Sequence, residues 1–373
     1  MSDAQGPRYA KTPDHSGATF GGYPRDANDV TGFREYERDG GDEWDLPREV
    51  TEAFVGSDPS CQIVIPVDGV SQQHVRLQRV PSLRIADYKS KNGTVVRGMS
   101  LLPKETAEIE MGDLFTLRGE REVTLLAMTD HMRKCRPAIL DILGTGFSPS
   151  ADALLREAAR GSNPLLLVGD PSSCVDELGE LIHQVSPRRA SDVVSVARMP
   201  ETAAEGSSLV KRANHSTLIL SLAENATPLK DAFVHALFDK SYDVRLVVVA
   251  QRARDAHNAL GEHLASWLLQ IHIRPLAYRR QDIPAVVDRR FETASNTRRF
   301  ADLTSANQQA ILEWGWEGKT SGNLRKLRQV VDALAVLGEG SSYREAAQRV
   351  GTSSTSLWRL LEGVNLTRPL FRE

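Results

Sequence analysis

Three stretches of this chain carry residues whose types and spacing could handle phosphate or nucleic acid. The first occupies turns: Gly56-Ser57, Ser71-Gln72-Gln73-His74, Ser90-Lys91-Asn92-Gly93-Thr94 and Arg97-Gly98. Hydroxyls, amides and cations held in loops are the donors that a dianionic phosphate needs, although KNG and RG are also ordinary hairpin punctuation. The second stretch, LLLVGDPSSCVD, runs an apolar strand into a helix, where a phosphate-binding loop would sit. Such a loop needs glycines so that backbone N–H groups can approach phosphate, then Lys for the phosphates and Ser or Thr for magnesium. Against GxxxxGK[ST] only Gly169 fits; Cys174 replaces the second glycine, Val175 the lysine and Asp176 the hydroxyl. Valine cannot neutralise phosphate, and Asp176 would repel it. Ser221 and Leu222 stand where an acidic pair would hold magnesium. The third stretch, YREAAQRVGTSSTSLWRLLEG, offers Ser353, Ser354, Thr355, Trp358 and Arg359 on the outward face of a short helix.

The elements that position these residues change character along the chain. Residues 1–28 are rich in Gly, Pro, Asp and Ser, show no periodicity, and read as a disordered tail in which Thr12-Pro13 is incidental. Residues 29–129 show brief β-rich runs (FVGSD, QIVIPVDG, HVRLQRV, LRIADY, TVVRG, DLFTLRG) broken by turn residues, the pattern of an all-β sandwich. MTDHMRKCRP reads as a polar connector. Beyond it, wholly apolar strands (NPLLLVGD, STLILSL, YDVRLVVVAQ) alternate with amphipathic helices, which predicts a parallel sheet covered on both faces. Residues 285–340 read as helical only, and two short helices around a GTS turn close the chain. Arg279, Arg280, Arg289, Arg290, Arg298 and Arg299 read as a solvated helix surface with some ion pairs, with a patch for an acidic partner as the alternative, and Trp314 and Trp316 as core or interface anchors.

Composition narrows the function classes. The 46 Lys and Arg against 49 Asp and Glu give a net charge of −3, which excludes a chain that coats nucleic acid by charge alone. Three scattered cysteines with no CxxC predict neither a disulfide scaffold nor a structural zinc site, and fit a reducing cytoplasm. No apolar run approaches the roughly 18 residues that a membrane span requires. No cofactor, metal site or membrane partner is expected.

In this order and spacing, the turn residues of the β region resemble the forkhead-associated (FHA) domain, with its SxxH and SxNGT elements. The resemblance implies a phosphothreonine-peptide site in the loops at one end of the sandwich. Ser71 would hydrogen-bond the phosphate and Asn92 the peptide backbone. Gln72, Lys91 and Arg97 would lie close, and Gly56, His74 and Gly93 would support the loops. Ser57 stands where the family has Arg, which removes one cationic ligand.

The middle of the chain resembles sigma-54-dependent activators (bacterial enhancer-binding proteins) of the AAA+ class. GDPSSCVDELGELIH, DVRLVVVAQ, IRPL with YRRQDIP, and WEGKTSGNLRKL follow that family's order, with Arg325 at its sensor-arginine position. The departures are as telling. Gly169, Val175, Asp176 and Ser221 mark a degenerate nucleotide site. The sigma-54 contact loop is missing from ARMPETAAEGSSLVKRAN, and LGEHLASWL replaces the arginine-finger segment. The last helices resemble the Fis-like helix-turn-helix, whose second helix enters the major groove. Residues 341–373 carry five Arg and three Glu, a charge of +2, which suits DNA binding by an oligomer rather than a monomer.

The expected organisation is a tail (1–28), an FHA sandwich (29–129), a degenerate AAA+ α/β core (136–284), a helical lid (285–340) and a helix-turn-helix (341–373). The expected function is a bacterial transcriptional regulator that is not an enzyme. It would bind DNA and a phosphorylated protein or Ser/Thr kinase, assemble as a homo-oligomer, and act without ATP or sigma-54. A scaffold for a kinase-linked complex that does not touch DNA is the alternative, and an ATP-dependent activator is the third reading.

Overall fold

The structure, a computed structural model, describes residues 29–372 apart from 37, 39, 40, 146–149, 162, 238, 240, 295 and 317–323. The tail with Thr12-Pro13 and most of the WEGKTSGN segment lie outside the described residues. Eleven strands build the N-terminal sandwich: β1 (Gly32–Glu35), β2 (Glu43–Asp45), β3 (Glu52–Gly56), β4 (Ile63–Val64), β5 (Val75–Arg79), β6 (Leu83–Asp87), β7 (Thr94–Val96), β8 (Met99–Ser100), β9 (Thr106–Glu108), β10 (Leu114–Leu117) and β11 (Val123–Met128). They form a six-stranded sheet ordered β2-β1-β11-β10-β7-β8 and a five-stranded sheet ordered β4-β3-β5-β6-β9. In β5, Val75 and Leu77 point inward while Arg76 and Gln78 point out, the alternation of a half-buried strand. The inner faces meet around Phe33 and Phe115, packed edge to face with centroids 5.2 Å apart.

The chain then passes straight into α1 (Asp130–Leu143), followed by α2 (Ala151–Arg160). This corrects the expectation of a polar connector. Thr129 caps α1 by accepting from the Met132 N–H at 3.2 Å, and Pro137 is tolerated inside the helix. Met132, Cys135, Ile139 and Ile142 recur at helical spacing among the polar residues and are buried.

The parallel sheet comprises β12 (Leu165–Val168), β13 (Val194–Val196), β14 (Thr217–Ser221), β15 (Arg245–Ala250) and β16 (Leu269–His272), ordered β13-β14-β15-β12-β16. All six residues of β15 are buried, as both faces are covered. The covering helices are α3 (Val175–Gln184), α4 (Ala203–Arg212), α5 (Asp231–Leu237), α6 (Ala253–Leu260) and the short α7 (Glu262–Ala265). Next come α8 (Ile283–Thr293), α9 (Ser305–Glu313) and α10 (Leu324–Gly338), then α11 (Tyr343–Val350) and α12 (Ser354–Gly363). Trp316 is fully buried, donates its indole N–H to the Ile311 carbonyl at 2.7 Å, and meets Trp314 edge to face.

The C-terminal pair is held from three sides. Gly351 turns between α11 and α12 with φ +71°, a conformation that glycine adopts without strain. The small buried Ala346 and Ala347 face the same apolar cluster as Val331, Leu334, Leu357 and Leu361. Asn307, fully buried on α9, donates to the carbonyls of Thr367, Leu370 and Pro369 and accepts from the Thr367 N–H at 2.8 Å. The final residues are thereby strapped to the helices before them. No helix among the described residues is long and apolar enough to cross a membrane.

Candidate functional site

Residues 57–62, 65–74 and 88–93 converge as loops at one end of the sandwich, and His74 organises them. Its Nδ1 accepts the Ser71 N–H at 3.1 Å, which makes Nε2 the protonated nitrogen that donates to the Gly93 carbonyl at 3.1 Å. Burial holds its pKa below the ordinary value, favouring this neutral form. The next loop is wired through Asp87, which accepts from Ser90 N, Ser90 Oγ and Thr94 Oγ1 at 2.8, 2.6 and 2.7 Å. Burial would raise the Asp87 pKa, but the hydrogen bonds from Ser90 and Thr94 outweigh it and hold the carboxylate low. Gly56 is needed for closeness: a Cβ there would sit 2.1 Å from the Gln72 carbonyl oxygen.

With the inner polar atoms spent on one another, the outer ones are left for a ligand. Ser71 Oγ accepts the Lys91 N–H at 2.9 Å, so its own proton remains to be donated. Asn92 is anchored by donation to the Gly69 carbonyl at 2.9 Å. The side chains of Gln72 and Lys91 are exposed at the same rim. Ser57 lies on the adjacent loop, its hydroxyl donating to the Val70 carbonyl at 3.0 Å.

Arg97 does not join this group. It occupies the turn after β7, at the far end of that strand from Thr94, with φ +50°. Its guanidinium lies 3.6 Å from the buried Asp113 carboxylate, which also faces Arg160 of α2 at 3.8 Å. Arg97 therefore serves the junction between the sandwich and the α/β region. Arg34 does likewise, reaching Asp152 of α2 at 3.3 Å, with Arg136 of α1 on the other carboxylate oxygen at 2.7 Å.

The loop after β12 presents the opposite arrangement. Cys174 keeps the left-handed backbone of a glycine position, with φ +62°. Val175 is buried and packs over Gly169, where an added Cβ would lie 2.9 Å from Val175 Cγ2. Asp176 accepts from the Ser221 hydroxyl at 3.1 Å, so these two side chains satisfy each other. Glu177 takes both carboxylate contacts from Arg328 Nη1, at 2.7 and 2.9 Å. Arg325 is exposed and lies beside the Cys174 thiol, whose pKa burial raises.

Arg328, missed in the sequence, is the more engaged arginine. Its Nη2 lies 3.7 Å from Asp141, which also accepts from Arg289 Nε at 2.7 Å. Arg279 donates to the Asp141 backbone carbonyl at 2.9 Å and is 3% exposed. Arg290 grips Asp332 with two contacts of 2.6 and 2.7 Å. The expected ion pairs are present, but the solvated setting is corrected: Arg279 is buried, and Arg279, Arg289 and Arg290 pin α1, α8 and α10 together. A pattern of spaced arginines looks the same in sequence whether its carboxylates are distant or absent.

On α12, Ser353 caps the helix by accepting from the Ser356 N–H at 3.1 Å. Ser354, Thr355, Trp358 and Arg359 are all exposed, and Trp358 retains 49% of its surface. Leu357 and Leu361 point inward. Among the described residues, no group of three or more His, Cys, Asp or Glu could hold a metal ion.

Comparison with known proteins agrees with the geometry of the sandwich. The FHA domain family matches residues 53–118. No curated protein matches the chain. Among solved structures, the chain is similar to the FhaA FHA domain complexed with the intracellular domain of Rv3910 (22% identity, 25% of this chain and 98% of that one, TM-score 0.22). It is similar to the FHA domain of the CT664 protein from Chlamydia trachomatis (24% identity, 26% and 93% covered, TM-score 0.22). It is also similar to NtrX from Brucella abortus in complex with ATP (14% identity, 64% and 69% covered, TM-score 0.37). The family match spans the loops that carry Ser71, His74, Asn92 and Gly93: residues 53–118 of this chain form an FHA domain.

Proposed function

We propose that this chain is a DNA-binding regulator whose FHA domain reads a phosphothreonine on a partner protein. Its α/β region, a degenerate AAA+ unit, acts without hydrolysing ATP or contacting sigma-54. The observation that carries the phosphopeptide half is the set of unspent donors at one rim: the Ser71 hydroxyl, the Gln72 amide and the Lys91 ammonium, around an anchored Asn92. A dianionic phosphate is met there by charge-assisted hydrogen bonds without displacing a protein partner.

The α/β region supports the non-catalytic reading because its loop after β12 offers no cation in the lysine position and is closed by its own side chains. The exposed row of Ser354, Thr355, Trp358 and Arg359 supports α12 as a recognition helix, with two buried alanines where it crosses α11. The small charge of this end makes a lone copy a weak binder, so the protein acts on DNA as a homo-oligomer.

Two measurements on the full chain test these halves separately. Titration with phosphothreonine peptides should show binding that is lost with the unphosphorylated peptide and weakened by Ser71→Ala. Binding to the protein's own upstream DNA should weaken with salt and collapse in Trp358→Ala, Arg359→Ala. DNA affinity unchanged by that double substitution would leave the scaffold reading, in which α11 and α12 serve assembly alone.

A further inference from the structure

We propose that an arginine clasp centred on Asp141 fixes α8 and α10 to the α/β core in place of a nucleotide, so that α12 keeps one position relative to the FHA loops whether or not ATP is present. The clasp is built from both sides of the cleft. α1 supplies Asp141 and α3 supplies Glu177; α8 supplies Arg289 and α10 supplies Arg328. Arg328 reaches both acids and also lies 3.7 Å from Cys174 Sγ, over the loop that would otherwise receive phosphate. Asp141 is 5% exposed and faces three arginines, Arg279 through its backbone carbonyl. A charge buried to this degree requires partners, so separating α8 and α10 from the core would strand it.

Packing extends the clasp in both directions. One buried apolar cluster runs from Met111, Leu126 and Met128 of the sandwich, through α1, α2 and the sheet face, to Leu357, Leu361 and Val364. No linker separates β11 from α1, because Thr129 is at once the end of the sandwich and the helix cap. At the other end, Asn307 straps the C-terminal residues to α9. Domain rotation by hinging needs a joint where few contacts cross. The described residues show packed side chains at each junction instead. The non-catalytic reading of the α/β region is the premise here, and the experiment separates failure of the clasp from failure of that premise.

Hydrogen exchange of the full chain, followed segment by segment, provides the test. In the wild type, α3, α8 and α10 should exchange slowly and be unaffected by Mg-ATP. Arg328→Ala should speed exchange in α10 and α3 by roughly 100-fold while leaving β5 and β11 protected, the scale expected when a buried charge loses its partner. Glu177→Gln, which keeps the shape and removes one charge, should give a smaller rise in the same segments and covers the case in which Arg328→Ala fails to fold. Unchanged exchange in both variants would overturn the clasp. Added protection of wild-type α10 by Mg-ATP would overturn the premise instead, by showing that a nucleotide still closes the cleft.

Discussion

The loops around His74 and the loop after β12 are both built from short polar residues at strand ends, yet they spend those residues differently. Around His74, the inward atoms (Asp87, Ser90, the Gly93 carbonyl) satisfy one another and leave the Ser71 proton, Gln72 and Lys91 facing solvent. After β12, the atoms that would meet a ligand are the ones consumed: Asp176 by Ser221, and Glu177 by Arg328. A polar loop becomes a binding site when its scaffold is satisfied and its rim is not. When the rim is satisfied as well, a ligand would have to displace a protein partner.

The largest expected effect tests the scaffold. His74→Ala removes two hydrogen bonds and leaves a buried hole, which should cost about 2–4 kcal/mol and lower the melting temperature. Phosphopeptide binding should vanish with it, and a stable variant that still binds would separate the loops from their supposed support. Next come the rim residues. Ser71→Ala and Lys91→Ala should each weaken a phosphothreonine peptide by roughly 10–100-fold in calorimetry, with the fold unchanged by circular dichroism.

The third effect is a pH dependence of known sign. His74 has a folded pKa below its ordinary 6.5, so the unfolded chain takes up the proton first. Its contribution to stability is therefore complete above 6.5 and is lost as pH falls from there toward the folded value, at no more than about 1.4 kcal/mol per pH unit. A protonated Nδ1 would also oppose the Ser71 N–H, so peptide affinity should suffer from this cause only as pH falls through the folded value, below 6.5. Stability that did not fall as pH dropped below 6.5 would contradict this. A smaller gain is expected from Ser57→Arg, which restores a cation beside the rim and should tighten the peptide about tenfold. Smallest of all is the effect of Val175→Lys on ATP affinity, where no binding should appear because Arg328 and Ser221 still occupy the acids around it. Micromolar ATP binding by that variant would break the contrast between the two loops.

The sequence made the sandwich and the parallel sheet readable because their central strands are apolar or strictly alternating, as in β5 and β15. The edge strands β13 and β16 escaped, being short and partly exposed. α1 escaped because polar residues outnumber its buried stripe. Ser71, His74, Asn92 and Gly93 were legible because they belong to neighbouring turns whose spacing is fixed by the hairpins. Arg97 was misplaced because β7 is only three residues long, so a nearby number lies at the opposite end of a strand. Asp141 and Arg328 gave no signal at all. Each is an ordinary charged residue on a helix, and only the tertiary fold brings them together.

The continuous passage from β11 into α1 limits how this protein can be dissected. Excising the sandwich at residue 129 would bare Met111, Leu126 and Met128, which lie in the buried cluster shared with α1 and α2. It would also strip Arg34 and Asp113 of their partners across the junction. A fragment ending at Thr129 should adhere to itself and to other apolar surfaces, and one cut after α2 only moves the bared face to Ile139, Ile142, Leu154 and Leu155, which share the cluster with α3 and the sheet. In this chain the transplantable unit is larger than the domain that gives it its name.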